Sequence, residues 1–141
     1  PLARALRADK TCLAGLQATL LAYLRGSAES DIPVWRMISI DFKDVRARAD
    51  AWRQALGIGQ VIEGLSMVGG GSLPGESLPS ALLALDVPSA DKFMAHLRAQ
   101  TPPVVARVEA GQVLLDARTV MPEDDELLIN IIKSLTQGKQ A

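Results

Sequence analysis

The sequence predicts an α+β domain of two layers, with an antiparallel or mixed sheet and helices packed on one of its faces. Three observations predict it. The elements run helix, helix, strand, strand, helix, strand, strand, helix. Two of the strands meet across Ala110 and Gly111 at the spacing of a tight hairpin. The 141 residues are 48% hydrophobic and 22% charged, which is the composition of one ordinary folded domain. No repeat and no clear internal linker divides the chain.

Each element has a local reason. In residues 9–25, Leu13, Leu16, Leu20 and Leu24 fall three and four apart and share one helical stripe, which Gly26 and Ser27 end. Residues 26–33 are turn-rich, and 34–40 form a short apolar segment expected to be partly helical. A second helix is expected over 42–56, where Phe42, Val45, Ala49, Trp52 and Leu56 keep helical spacing, Asp41 stands at the N-cap and Gly57 at the stop. Residues 60–68 are short, apolar and rich in β-branched side chains, so they read as a strand entering the loop GGGSLPGESLPS at 69–80. The apolar run 81–87 is a buried strand. Ser89 or Asp91 caps a helix to about residue 99, and Thr101-Pro102-Pro103 breaks it. Strands follow at 104–109 and 112–116. Pro122 and the acidic residues 123–126 then open a last helix through 135, with fraying from Thr136.

Charge and composition exclude several functions. With 15 Lys+Arg against 16 Asp+Glu the chain has no overall positive field to gather a polyanion. One cysteine, Cys12, and one histidine, His96, cannot build a Cys/His metal centre, so no metal site is expected. No apolar run approaches the ~20 residues that span a bilayer, and no signal-like order opens the chain, so it reads as cytoplasmic. The glycine loop has neither the dinucleotide nor the phosphate-loop spacing. Cys12, Trp35 and Trp52 are expected in core packing, and His96 at the surface.

Two sets of residues suit anion chemistry. Arg4, Arg7 and Lys10 are spaced by three, and forked guanidiniums match phosphate-like oxyanions. The alternative is a solvated basic face. Arg107 and Arg118 lie in or just after predicted strands; the alternation Val105, Arg107, Glu109 sets Arg107 on the solvent face, although an edge arginine also suits a carboxylate or phosphate. The loop at 69–80 reads equally as a strand connection or as part of a site.

Four blocks in order, PLARALRADKTCLAGLQATL, IPVWRM, GGGSLPGESLPS and PPVVARVEAGQVLLDARTV, resemble the C-terminal part of bacterial selenocysteine synthases, the L-seryl-tRNA(Sec) selenium transferases. Ala3 and Ala8 replace bulkier residues of the motif without altering the arginines. The resemblance implies a connecting helix segment over 1–30 and, over 31–141, a domain like the small C-terminal domain of type I pyridoxal-phosphate enzymes.

That family implies a reaction. Selenium from selenophosphate replaces the hydroxyl of a seryl group on tRNA(Sec), with pyridoxal 5'-phosphate as electron sink. Arg4 and Arg7 match positions implied in holding the selenium donor, and Gly70, Gly71, Ser72 and Arg107 match blocks near the site. No catalytic residue is expected in this chain. The Schiff-base lysine is expected upstream, and the start at Pro1 rather than Met fits a segment of a longer enzyme, inactive alone. The partners implied are seryl-tRNA(Sec), selenophosphate and further copies in a homo-oligomer built from dimers. Related pyridoxal-phosphate lyases of phosphorylated sugar acids are the nearest alternative; a non-catalytic assembly or tRNA-contact module is another.

Overall fold

The computed structural model describes residues 8–69 and 75–137. By contacts the chain divides into two compact units, Pro1–Ser39 and Ile40–Ala141.

In the first unit, α1 (Lys10–Arg25) starts where the Asp9 carboxylate accepts the Cys12 N–H at 2.8 Å. It ends in a Schellman turn. Gly26 takes the left-handed conformation (φ 71°), its N–H donates to the Tyr23 carbonyl, and the Ser27 N–H donates to that of Ala22. The turn-rich stretch contains a helical turn, α2 (Ala28–Asp31), and the apolar segment after it is helical up to Ser39, α3 (Pro33–Ser39).

The second unit has the expected two layers. Helix α4 (Phe42–Leu56) begins at Asp41, whose side chain makes no capping bond although its carbonyl accepts the Val45 N–H. The chain turns through Gly57 and Gly59 into β1 (Gln60–Met67) and β2 (Ser77–Leu85). Gly59 has to be glycine: φ is 80°, and a Cβ there would lie 2.7 Å from the Ala84 carbonyl oxygen. Helix α5 (Ala90–Arg98) starts at Ser89, whose hydroxyl accepts the Lys92 N–H, and leads to β3 (Arg107–Glu109) and β4 (Gln112–Asp116). A 3-10 turn at Pro122–Asp124 runs into α6 (Asp125–Gln137).

The sheet is antiparallel throughout, in the order β1-β2-β4-β3. Pairing Leu83 with Val61 and with Leu115 sends alternate residues to opposite faces. One face carries Ala81, Leu83, Leu85, Val113 and Leu115 against Val45, Ala49 and Trp52 of α4, Phe93, Met94 and Leu97 of α5, and Leu128, Ile131 and Ile132 of α6. Fully burying one such leucine or phenylalanine contributes about 1.5–3 kcal/mol. The other face has its own smaller buried group, Leu82, Ala84 and Leu114, with Ile62 beside it.

Three elements depart from expectation. β2 starts at Ser77, inside the segment read as loop, and includes Pro79. Proline is tolerated there because β4 pairs only with Leu82 to Leu85, so the missing N–H costs no ladder bond on that side, while the Pro79 carbonyl accepts from Arg118. β3 covers only Arg107–Glu109 of the expected 104–109, since the Val104 N–H is drawn instead to the Leu97 carbonyl of α5. The last helix continues through Thr136, whose hydroxyl donates to the Ile132 carbonyl, where fraying was expected.

Candidate functional site

Of the residues singled out for anion chemistry, Arg4, Arg7, Gly70, Gly71 and Ser72 lie outside the described residues. What the fold does describe is the frame around the glycine loop. Past the Met67–Ser77 pair, the Val68 N–H still donates to the Glu76 carbonyl, at 3.1 Å. Gly69 and Gly75 both have positive φ, 142° and 86°. The glycine loop therefore joins two strands held in register almost to its ends.

Arg107 sits on β3 and pairs with Leu114, which places it on the sheet face away from the helices. Its Nη1 donates to the Leu65 carbonyl of β1, 3.1 Å away, although β1 and β3 are opposite edges of the sheet. The sheet is thus curled enough for one arginine to bridge it. Beneath lies a groove of about 520 Å³, with Leu82 and Leu114 as floor and Ile62, Gly64 and Gln112 among its walls. Gly64 lies beside the bridge. A Cβ at this position would lie 2.5 Å from Leu82 Cδ1, so a larger residue would force Leu82 to shift, while its 3.6 Å distance to Arg107 Nη2 is an ordinary contact. Arg107 is exposed, as the alternation of its strand predicts, and its described partner is a carbonyl rather than an anion.

Arg118 has a different role. It is 4% exposed and donates from Nη1 to the Ile40 carbonyl and from Nη2 to that of Pro79, each at 2.8 Å. Burial lowers its pKa from the ordinary arginine value, and the neighbouring Asp116 works against that shift. It is a brace between the approach to α4 and the start of β2.

Beside it is a polar cluster that sequence reasoning missed. The Asp116 carboxylate accepts the Ser80 hydroxyl at 2.6 Å, the Ser66 hydroxyl, and the Arg118 N–H at 3.0 Å. Ser66 and Ser80 are both buried. Ser66 and Ser80, each set among apolar residues of its strand, were the available signal, since a buried hydroxyl requires a partner. With no imidazole among these contacts, the cluster is a fastening of β1, β2 and the end of β4 rather than a nucleophile and its base.

The remaining candidates divide. Trp52 is in the core, while Trp35 is 37% exposed and donates its indole N–H to the Tyr23 hydroxyl. Cys12 is exposed, not in a core, and lies 3.4 Å from an Asp9 carboxylate oxygen. His96 is exposed in the last turn of α5. Among the described residues no three His, Cys, Asp or Glu side chains gather as metal ligands, and no helix is long and apolar enough to cross a membrane. None of the described lysines lines the groove under Arg107, the groove of the first unit or the one beside Pro102 and Pro103. The amine over a phosphate cradle that pyridoxal phosphate needs is not found among the residues lining these three grooves.

Comparison with known proteins gives one consistent result. The family model described as L-seryl-tRNA selenium transferase matches residues 1–121. Proteins named L-seryl-tRNA(Sec) selenium transferase from Geobacter sulfurreducens and Aquifex aeolicus are 37% and 39% identical to this chain over 96% of its length. One from Clostridium perfringens is 36% identical over 95%. In each case the match covers 31% of the relative, so the chain spans about a third of the length of the curated relatives it matches.

Proposed function

The chain belongs to the L-seryl-tRNA selenium transferase family, and from that premise we propose that it serves as the small C-terminal domain of an enzyme converting seryl-tRNA(Sec) to selenocysteyl-tRNA(Sec). The observation that carries the reading is the match over residues 1–121, which includes the block with Arg4 and Arg7 as well as the glycine loop.

In this reading Arg4 and Arg7 bind the selenium donor, selenophosphate. Each guanidinium presents paired N–H donors to the oxyanion and holds it for attack on the seryl carbon. Pyridoxal 5'-phosphate supplies the electron sink when bound, and its lysine belongs to the part of the enzyme that the relatives carry beyond this match. The antiparallel sheet and its helices act as a rigid support, with Gly70, Gly71, Ser72 and Arg107 near the site. The segment alone is inactive. The whole enzyme is a cytoplasmic homo-oligomer built from dimers, and tRNA recognition falls mainly to its other parts, in keeping with this chain's net charge of -1.

The test is a pair of assays on the full-length enzyme that carries this chain. Conversion of seryl-tRNA(Sec) in the presence of selenophosphate is expected. Cleavage of a phosphorylated sugar acid without that conversion would assign the chain to a lyase instead. Binding of the tRNA by the 141-residue chain, with neither activity in the full-length enzyme, would make it a contact module.

A further inference from the structure

Asp116 is tied to both groups that the proposed function places beside the site. Directly paired residues share a face of a sheet. Since Ser66 pairs with Leu78, Ser80 with Gly64, Leu82 with Asp116 and Leu114 with both Ala84 and Arg107, the two serines, Asp116 and Arg107 all lie on the face away from the helices. There one carboxylate oxygen accepts the Ser66 hydroxyl. Ser66 follows Leu65, whose carbonyl receives Arg107 Nη1, and comes shortly before Val68, whose N–H closes the foot of the glycine loop on Glu76. The other oxygen accepts the Ser80 hydroxyl at 2.6 Å and the Arg118 N–H at 3.0 Å, so it holds β2 as that strand leaves the loop. The ladder does not require these bonds: β1 and β4 are not neighbours, and the Ser66 bond spans β2. Apolar side chains would fill the same buried positions without the cost of desolvating hydroxyls, whereas directional bonds fix one geometry.

We propose that Asp116 is a positioning residue for the selenium transfer: through Ser66 it sets the Leu65 carbonyl that aims Arg107, and through Ser80 it sets the strand that carries the glycine loop. The inference rests on the reading above that Arg107 and the loop lie near the site, and adds to it the residue that holds them in one arrangement. Asp116 itself takes no part in the chemistry. Its effect is one of placement, and a displacement of about 1 Å in groups that orient a substrate costs up to about 100-fold in rate.

The experiment measures kcat and KM for seryl-tRNA(Sec) and for selenophosphate in the full-length enzyme, with circular dichroism as the check on folding. Asp116→Asn keeps the size of the side chain but puts an NH2 group where one serine hydroxyl donates. It is expected to lower kcat/KM by about 10- to 100-fold with the cofactor absorbance unchanged. Ser66→Ala breaks the β1 connection alone and leaves the bonds from Ser80 and the Arg118 N–H, so it carries the test if Asp116→Asn does not fold. It is expected to lower kcat/KM by about 10-fold in the wild type and to have no further effect in an Arg107→Ala background, since both changes act through the same guanidinium. Leu97→Ala, a destabilising change in the core on α5, leaves kcat/KM unchanged below its melting temperature. An unchanged kcat/KM in folded Asp116→Asn overturns the proposal and leaves the selenium-transferase reading standing. Additive losses from Ser66→Ala and Arg107→Ala, or an equal loss in Leu97→Ala, do the same. A wild-type enzyme without conversion removes the reading and the proposal together.

Discussion

Arg48 offers the sharpest test of how the second unit is held together. It lies on the inner side of α4, 16% exposed, and its guanidinium engages three separate places. Nε donates to Asp125 at 3.1 Å, and Nη2 reaches the other oxygen of the same carboxylate. Nη1 donates to the Ala117 carbonyl at 2.8 Å and Nη2 to that of Val120 at 3.0 Å. The planar group also lies 5.6 Å from the centre of the Trp52 ring. One side chain thus joins α4, the segment after β4 and the first residue of α6. Arg48→Met keeps the stem against Trp52 but leaves two carbonyls and a carboxylate without their donor. Ala117 is fully buried, so its unmet carbonyl alone costs about 1–3 kcal/mol. The carboxylate is partly exposed at a helix N-terminus, which limits the cost of its lost partner to about 1 kcal/mol. The expected loss is therefore about 2–4 kcal/mol. Arg48→Lys recovers less than half, since a point charge replaces one prong of the fork. The assay is urea unfolding followed by Trp52 fluorescence in a Trp35→Phe background, which keeps the signal to this unit. A loss below about 1 kcal/mol for Arg48→Met, or no coupling to Asp125→Asn in a double-mutant cycle, would refute the reasoning.

Three further outcomes follow from the same contacts. Gly64→Ala is expected to lower the urea midpoint by the equivalent of about 1–3 kcal/mol, because Leu82 is buried and has nowhere to move; an unchanged midpoint would show the face to be loosely packed. Asp116→Ala leaves the buried hydroxyls of Ser66 and Ser80 without their acceptor and is expected to cost about 2–3 kcal/mol, with Ser66→Ala and Ser80→Ala together restoring part of it. Asp9 and Asp31 have lowered pKa values, held down by the Cys12 N–H and by the Ser27 hydroxyl respectively. Their stabilisation is present above the unfolded carboxylate value and is lost as pH falls through the lower folded one. Helicity of the first unit should accordingly decline below about pH 4, and less so in Asp9→Asn with Asp31→Asn.

How far the sequence could be read depended on what each signal reports. Helical and strand periods report which residues share a face, and so α4, β1, α5, β4 and the two-layer order were legible. They do not report what a face meets. The stripe of Leu13, Leu16, Leu20 and Leu24 was visible, but it is exposed, and Cys12 beside it is exposed too. Pro79 reads locally as loop, and only the place of β2 relative to β4 explains why a strand accepts it. Arg118 resembled Arg107 in sequence, yet one is a buried brace and the other bridges an open face, a difference made by contacts 39 and 42 residues apart. Ser66, Ser80 and Asp116 come together only through strand register. Arg4 and Arg7 gained meaning from their block and its family, since three-residue spacing by itself describes any basic helix face.

The central claim is that these two arginines hold the selenium donor. Its most direct measurement is selenocysteyl-tRNA(Sec) formation by the full-length enzyme carrying Arg4→Ala with Arg7→Ala, at fixed selenophosphate and with the cofactor absorbance recorded alongside. Formation should fall by about 100-fold or more while the cofactor spectrum stays unchanged, as when an oxyanion loses its fixed donors. Formation at the wild-type rate would contradict the account.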